Sequence, residues 1–243
     1  MLGLGLGLNK IRKRGGAAPF DFSSIPGLRV CLLPGQGITE VDGGVDVWQS
    51  QFVDSYAEAP QASMRPTPQI NSESGKLVPW FDGLDDRLLF KESSGSNLTA
   101  GVTTSIRIIK SDGFKTVGAE RMFIFTDFSD NGWSYSGHEG DTRTVINNNY
   151  GAPSLRVDGQ NENPANRGEV WDLIYAVNAN KLMTVLSGDI STWTAPQIGG
   201  YRNETSGTFM YQGQVVAELL YDGELTQPQY ETVEAELLKL VQQ

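Results

Sequence analysis

The clearest pattern of hydrophobic and polar positions lies at the end of the chain. From Gly213, Val215, Ala217, Leu219 and Tyr221 alternate with Gln214, Val216, Glu218 and Leu220. A period of two predicts a strand with one apolar and one imperfectly polar face. Thr226 then offers a helix N-cap, with Pro228 in the first turn and Gln229 at the capping-box position. Tyr230, Val233, Leu237 and Leu240 follow at helical spacing, with Glu231, Glu234, Glu236 and Lys239 mostly on other faces. This predicts one closing amphipathic helix.

Upstream, short apolar runs are separated by Gly, Asp, Asn and Ser clusters. Strands are expected over 28–33, 76–81, 88–90, 103–109, 121–125, 133–135, 142–146, 155–157, 170–177 and 181–186, and 207–211 leads into the closing strand. The pair 76–81 and 88–90, joined by a Gly/Asp turn, reads as a hairpin. Little between residues 25 and 225 reads as helix. Many short strands at close intervals favour an all-β sandwich or jelly roll, in which double-layered sheets solve the edge-strand problem.

The first 24 residues have a different texture. Leu2, Leu4, Leu6 and Leu8 alternate with Gly3, Gly5 and Gly7, followed by Lys10, Arg12, Lys13 and Arg14 and an Ala/Pro stretch. In an extended chain the leucines share one face. The expected organisation is therefore an arm over 1–24 and a single domain over 25–243. The charges follow the apolar run and alternate glycines weaken a helix there, so a secretion signal is not expected. No run approaches the roughly twenty apolar residues of a membrane span.

At 243 residues and 39% apolar content the chain can bury a substantial core. The net charge is −10, and beyond residue 20 fifteen basic residues face twenty-nine acidic ones. An acidic body makes nucleic acid an unlikely main partner. The basic arm suits an acidic protein surface or a nucleic acid, and a solubilising tail is the simpler alternative. One cysteine, Cys31, and one histidine, His138, exclude a disulfide framework and a multi-histidine metal centre. Cys31 lies in an apolar run, where an inert buried thiol is expected. His138 reads as a loop residue, because no Gly-x-Ser-x-Gly elbow accompanies it.

Two groups of residues offer chemistry. Asp82, Asp85 and Asp86 crowd one turn, where carboxylates could hold calcium, although side chains capping their own backbone explain the same pattern. The segment 41–46, rich in Asp and Gly, is an ordinary turn former by the same reasoning. Trp133, Tyr135, Tyr150 and Trp193, beside Asn147, Asn148 and Asn149, would suit a sugar-binding face, or else the aromatic rings are core. The glycan-binding candidates are Trp133, Tyr135, Asn148 and Tyr150.

Two stretches carry a resemblance. The run from Trp80 to Asp86, Trp-Phe-Asp-Gly-Leu-Asp-Asp, resembles the FDG-x-DD hairpin of concanavalin A-like (laminin G-like) jelly-roll domains. Arg65-Pro66 and the loop containing Gln69 fit its usual lead-in. Gly213 through Leu225 is similar to the family's ending, and Glu231, Val233, Glu234 and Leu237 fit the helix that commonly follows. The start from Met1 to Leu8, the basic patch and Ile25-Pro26-Gly27-Leu28 resemble tailed-bacteriophage structural proteins. In place of the family's tryptophan–tyrosine–aspartate run, this chain has Val30-Cys31-Leu32-Leu33.

The resemblance implies a concanavalin A-like jelly-roll sandwich with an extended N-terminal arm and one C-terminal helix. It implies a non-enzymatic virion protein: a capsid decoration, head-fibre or tail-associated component. Its partners would be other virion proteins and further copies of itself as a homo-oligomer, with no membrane. Leu2, Leu4, Leu6, Leu8, Lys10, Arg12, Lys13 and Arg14 would anchor it to the particle. The alternative is a module that binds a host-surface glycan. No cofactor is implied beyond the calcium candidates Asp82, Asp85 and Asp86.

Glycoside hydrolases share this jelly roll and place a Glu-x-Asp-x-(x)-Glu series along one strand. Glu40 and Asp42 begin such a series, but Gly44 and Val45 stand where its last Glu belongs. Glu139 and Asp141 lack a closing acid, and Glu218, Asp222 and Glu224 are wrongly spaced. Catalysis of that kind is not expected.

Overall fold

The centre of the fold is built from the end of the sequence. The computed structural model describes residues 19–99, 101–113, 122, 124–128, 132, 134–144, 150–200 and 210–242. In chain order the elements are β1 (Leu28–Leu32), β2 (Ile38–Val41), β3 (Gly44–Gln49), β4 (Ser55–Glu58), β5 (Thr67–Ile70), β6 (Leu77–Asp82), β7 (Leu88–Glu92) and β8 (Val102–Ser111). There follow β9 (Phe125–Asp127), β10 (Ser154–Val157), β11 (Gln160–Glu162), α1 (Arg167–Val170), β12 (Lys181–Asp189), β13 (Pro196–Ile198), β14 (Gln212–Asp222) and α2 (Gln227–Val241).

The strands form two antiparallel sheets. The larger runs β11-β10-β12-β8-β14-β6-β5, and the smaller runs β2-β3-β4-β7-β13-β9. β14 lies between β8 on one side and two strands that share its other side. Its start, at Gln212, Gly213 and Gln214, pairs with β6, and its end pairs with β1, from Leu32 opposite Glu218 to Leu28 opposite Tyr221.

Two cores follow from this arrangement. Between the sheets, Phe81, Ile109, Met183, Val215 and Leu220 meet Val45, Trp48, Phe90, Phe125 and Ile198, all buried. On the outer face of the larger sheet, Tyr230, Val233, Leu237 and Val241 of α2 cover Ile106, Ile108, Leu182, Ala217 and Leu219. Each such side chain contributes about 1.5–3 kcal/mol by leaving water. The layers are thus helix, sheet, sheet.

β14 is buried on both faces, so the imperfectly polar face expected from its sequence is not realised. A bulge between Val215 and Ala217 breaks the period of two. Val215, Glu218 and Leu220 face the smaller sheet, while Val216 joins Ala217, Leu219 and Tyr221 under the helix. The helix begins as predicted, with the Gln229 side chain accepting from the Thr226 N–H at 2.9 Å. Glu234, expected on an outer face, turns inward: its Oε1 accepts from Arg156 Nε at 3.1 Å and from Thr184 Oγ1 at 2.7 Å.

Three further expectations are corrected. β6 and β7 do not form a hairpin; they belong to different sheets, and the Asp-rich turn between them is a crossover. Residues 170–177 are not a strand. Asn166 caps α1 by accepting from the Glu169 N–H at 2.9 Å, and Glu169 returns a bond to the Ala165 N–H at 2.7 Å. The chain continues as a wider π-helical turn, Trp171–Tyr175, which buries Trp171, Ile174 and Tyr175. Finally, of the residues described within 133–135 and 142–146, none lies in a named strand; Thr144 makes an isolated bridge to Asn166.

The body also takes in part of the expected arm. Asp21 caps a 3-10 turn, Phe22–Ser24, by accepting from the Ser23 N–H at 2.9 Å. Phe22 is buried, Phe20 packs against the helix-side core, and the Tyr221 hydroxyl donates to the Phe22 carbonyl at 3.3 Å.

Candidate functional site

The Asp-rich crossover is the most concentrated set of carboxylates among the described residues. One oxygen each from Asp82, Asp85 and Asp86 lie within 4.8 Å of one another. The sequence Asp82-Gly83 makes this turn because Gly83 adopts φ 79°, a left-handed value that glycine takes without strain. Asp82 Oδ1 accepts from the Leu84 N–H at 2.7 Å, and Asp86 Oδ2 accepts from the Asp82 N–H at 2.9 Å. Two of the three carboxylates are therefore already engaged with backbone donors. Arg87 pins the C-terminal side: its N–H donates to Met64 O at 3.0 Å and its Nε to Asp85 O at 3.0 Å.

Burial, reinforced by the neighbouring Asp82, pushes the Asp86 carboxyl up to about 8, against the opposing effect of its backbone hydrogen bond. Asp85 is raised by the same two causes. A calcium ion takes six to eight oxygens. The turn supplies three converging side chains, two of them committed, and the capping chemistry accounts for their positions.

A second polar site, absent from the sequence expectations, lies between the sheets. Arg107 of β8 and Glu218 of β14 are directly paired in register, and neither side chain reaches solvent. Arg107 Nη2 donates to Glu218 Oε1 at 3.0 Å, and the guanidinium carbon stands 4.7 Å from the centre of the Phe125 ring. Burial pushes Glu218 up to about 7, although Arg107 pulls it down. A signal was present in the sequence. Ile106-Arg107-Ile108 and Ala217-Glu218-Leu219 each set one charge, of opposite sign, inside an apolar run.

The two glycan-binding candidates among the described residues, Tyr135 and Tyr150, do not lie on an exposed face. Tyr150 is fully buried, its ring 5.9 Å from Phe125 and 5.3 Å from Trp193, and Trp193 is buried as well. Tyr135 is 5% exposed, and its hydroxyl donates to Pro153 O at 3.0 Å. Both tyrosines are core residues: large rings beside a polar loop were filling the interior. Trp133 and Asn148 lie outside the described residues, as do the anchor residues Leu2, Leu4, Leu6, Leu8, Lys10, Arg12, Lys13 and Arg14.

The expectations for the Asp42-Gly43 turn, His138 and Cys31 hold. Asp42-Gly43 forms the two-residue turn of the β2–β3 hairpin, with φ 52° and 80°. His138 sits on an irregular segment, its Nδ1 2.9 Å from Glu139 O. Cys31 is buried, and burial pushes its thiol up to about 12. Among the described residues no helix is long and apolar enough to cross a membrane. Comparison of the chain with family models, with curated proteins and with solved structures gives no match.

Proposed function

We propose that this chain is a non-enzymatic structural protein of a tailed-bacteriophage virion, a capsid decoration, head-fibre or tail-associated component. Its body would be a concanavalin A-like jelly roll held on the particle by the N-terminal arm. The observation that supports this reading is a division of labour along the sequence. A two-sheet acidic body, sealed by α2, follows a segment of alternating leucine and glycine with four cations and no acid.

An extended arm of this kind anchors by burying its leucine face and pairing its cations with acidic groups, gaining order as it binds. The body has no need of catalysis in such a role, and the Arg107 and Glu218 charges between its sheets are locked in an ion pair. The test is deletion of residues 2–14. The deleted protein should remain folded yet fail to enter particles in a complementation assay. Normal incorporation of the folded, deleted protein overturns the proposal.

A further inference from the structure

The root of the arm opens onto an apolar groove of about 300 Å³. Its walls are Pro19, Phe20 and Phe22 from the root of the arm, Leu33 beyond β1, Phe52 from the β3–β4 connection and Leu240 of α2, with Gln36 and Gln51 as the polar part of the lining. The three phenylalanines form a chain of contacts, with ring centres 5.1 Å apart for Phe20 and Phe22 and 6.3 Å for Phe22 and Phe52.

Phe52 is the unusual member. It is 48% exposed, and its backbone adopts φ 69°, a left-handed value costly for a bulky residue. The chain thus holds an aromatic ring partly in water, in a strained conformation, at the rim of an apolar groove. The cost of exposure is recovered when an apolar segment covers the ring, and that gain offsets the backbone strain that holds it at the rim.

We propose that the groove receives residues 2–8 of a second copy of this chain, so that two copies exchange their arms. This shares with the proposed function the reading of residues 2–14 as an anchor, and it names the surface that receives them. Four observations select the occupant. In an extended segment Leu2, Leu4, Leu6 and Leu8 project to one side about 7 Å apart, and the intervening glycines let the backbone lie close to a wall. The eighteen residues before Pro19 reach up to about 60 Å, enough to cross to a neighbour.

The groove's wall includes the arm's own root. A two-fold axis that brings two grooves together therefore sets each root beside its partner's groove, the closed geometry of reciprocal exchange. The lining also contains no acidic residue. An arm folding back into its own groove must reverse between Leu8 and Pro19, gathering Lys10, Arg12, Lys13 and Arg14 into one turn with no acid in the lining to offset them. An arm crossing to another copy lays these cations over a second acidic body, which relieves the repulsion between two such bodies.

The experiment uses the full chain. Light scattering behind size exclusion at micromolar concentration should give a dimer that becomes a monomer on deletion of residues 2–14. Phe52→Asp should weaken association about tenfold or more while leaving the melting temperature near that of the parent, the effect of removing one interface anchor. Under mild oxidation, a chain carrying Leu4→Cys mixed with one carrying Phe52→Cys should form an intermolecular disulfide.

Three results overturn the inference. The first is a monomer at all concentrations. The second is a doubly substituted chain, Leu4→Cys with Phe52→Cys, that links only internally with monomer mass. The third is a dimer lost on arm deletion but untouched by Phe52→Asp, which would place the arm elsewhere. Particle incorporation separates the two proposals: a Phe52→Asp protein that is monomeric but incorporated normally leaves the anchoring role standing and removes the need for exchange in it.

Discussion

Arg107 and Glu218 lie opposite one another on adjacent central strands, 3.0 Å apart and shut off from solvent on every side. Arg107 Nε and Nη1 and Glu218 Oε2 make no further hydrogen bond. Removing two charges from water costs several kcal/mol each, and one hydrogen bond with a ring contact offsets this only in part. The pair is therefore expected to specify the register of β8 on β14 more than to stabilise the fold. Glu218→Ala alone, which strands a buried guanidinium, should cost about 3–5 kcal/mol in urea unfolding. Arg107→Met combined with Glu218→Leu should recover most of that loss. A double variant as unstable as the single one would show the charges to be net stabilising.

Stability should fall as pH rises from about 5 to 8. Glu218 and Asp86 are raised in the folded protein, to about 7 and about 8, above their ordinary carboxylate values. In that window the folded state holds protons that the unfolded chain has released, so raising the pH favours unfolding. Each group contributes a slope of about 1.4 kcal/mol per pH unit where only its unfolded form is ionised. Asp86→Asn should remove the upper part of this slope. Thermal melts at pH 5, 6.5 and 8 check it; a stability that rises with pH contradicts the assignment.

Calcium should leave the melting temperature unchanged at pH 6.5, because Asp82 and Asp86 already cap the crossover backbone. Asp82→Ala should cost about 1 kcal/mol by loss of its cap to Leu84, with or without calcium. A rise of several degrees on adding calcium, absent from Asp82→Ala, would turn the turn into a metal site.

The Cys31 thiol should be silent to a thiol-reactive dye in the native protein and titrate as one equivalent in denaturant. Burial raises it to about 12, so almost none is thiolate at neutral pH. Rapid native labelling would mean that β1 detaches readily from β14.

Gly27→Ala should destabilise the body by about 2 kcal/mol, measured by urea unfolding, through strain at a left-handed position. Gly27 has φ 88°, and a Cβ there would stand 2.6 Å from Asp222 O. The Asp222 N–H donates to Gly27 O at 2.7 Å, so the strain falls where the chain first meets its final strand.

Local features were the ones legible in sequence. Thr226 and Gln229 mark the start of α2 because capping is settled within four residues, and the Asp42-Gly43 turn needs no more context. Residues 170–177 read as a strand from their apolar run, but the Asn166–Glu169 cap starts a helical turn there. What sequence patterns could not supply was partnership. Nothing local shows that β6 and β7 part to different sheets, or that the bulge at Val216 sends Glu218 inward to meet Arg107, 111 positions away. The same gap left Tyr135 and Tyr150 open between a sugar-binding face and the core, which the structure decides as core.

The position of β14 has a consequence for synthesis. A ribosome delivers the middle strand of the larger sheet after all of its neighbours. Until Gln212–Asp222 emerges, β8 and β6 have no common partner and β1 has none at all. Arg29, which also pairs with Glu92, gains its second carboxylate only when Asp222 arrives, 193 positions later. Such distant contacts slow folding, and open strand edges invite other chains. The nascent chain is thus most exposed to misassembly before β14 emerges, and β14 acts as the latch that ends that interval.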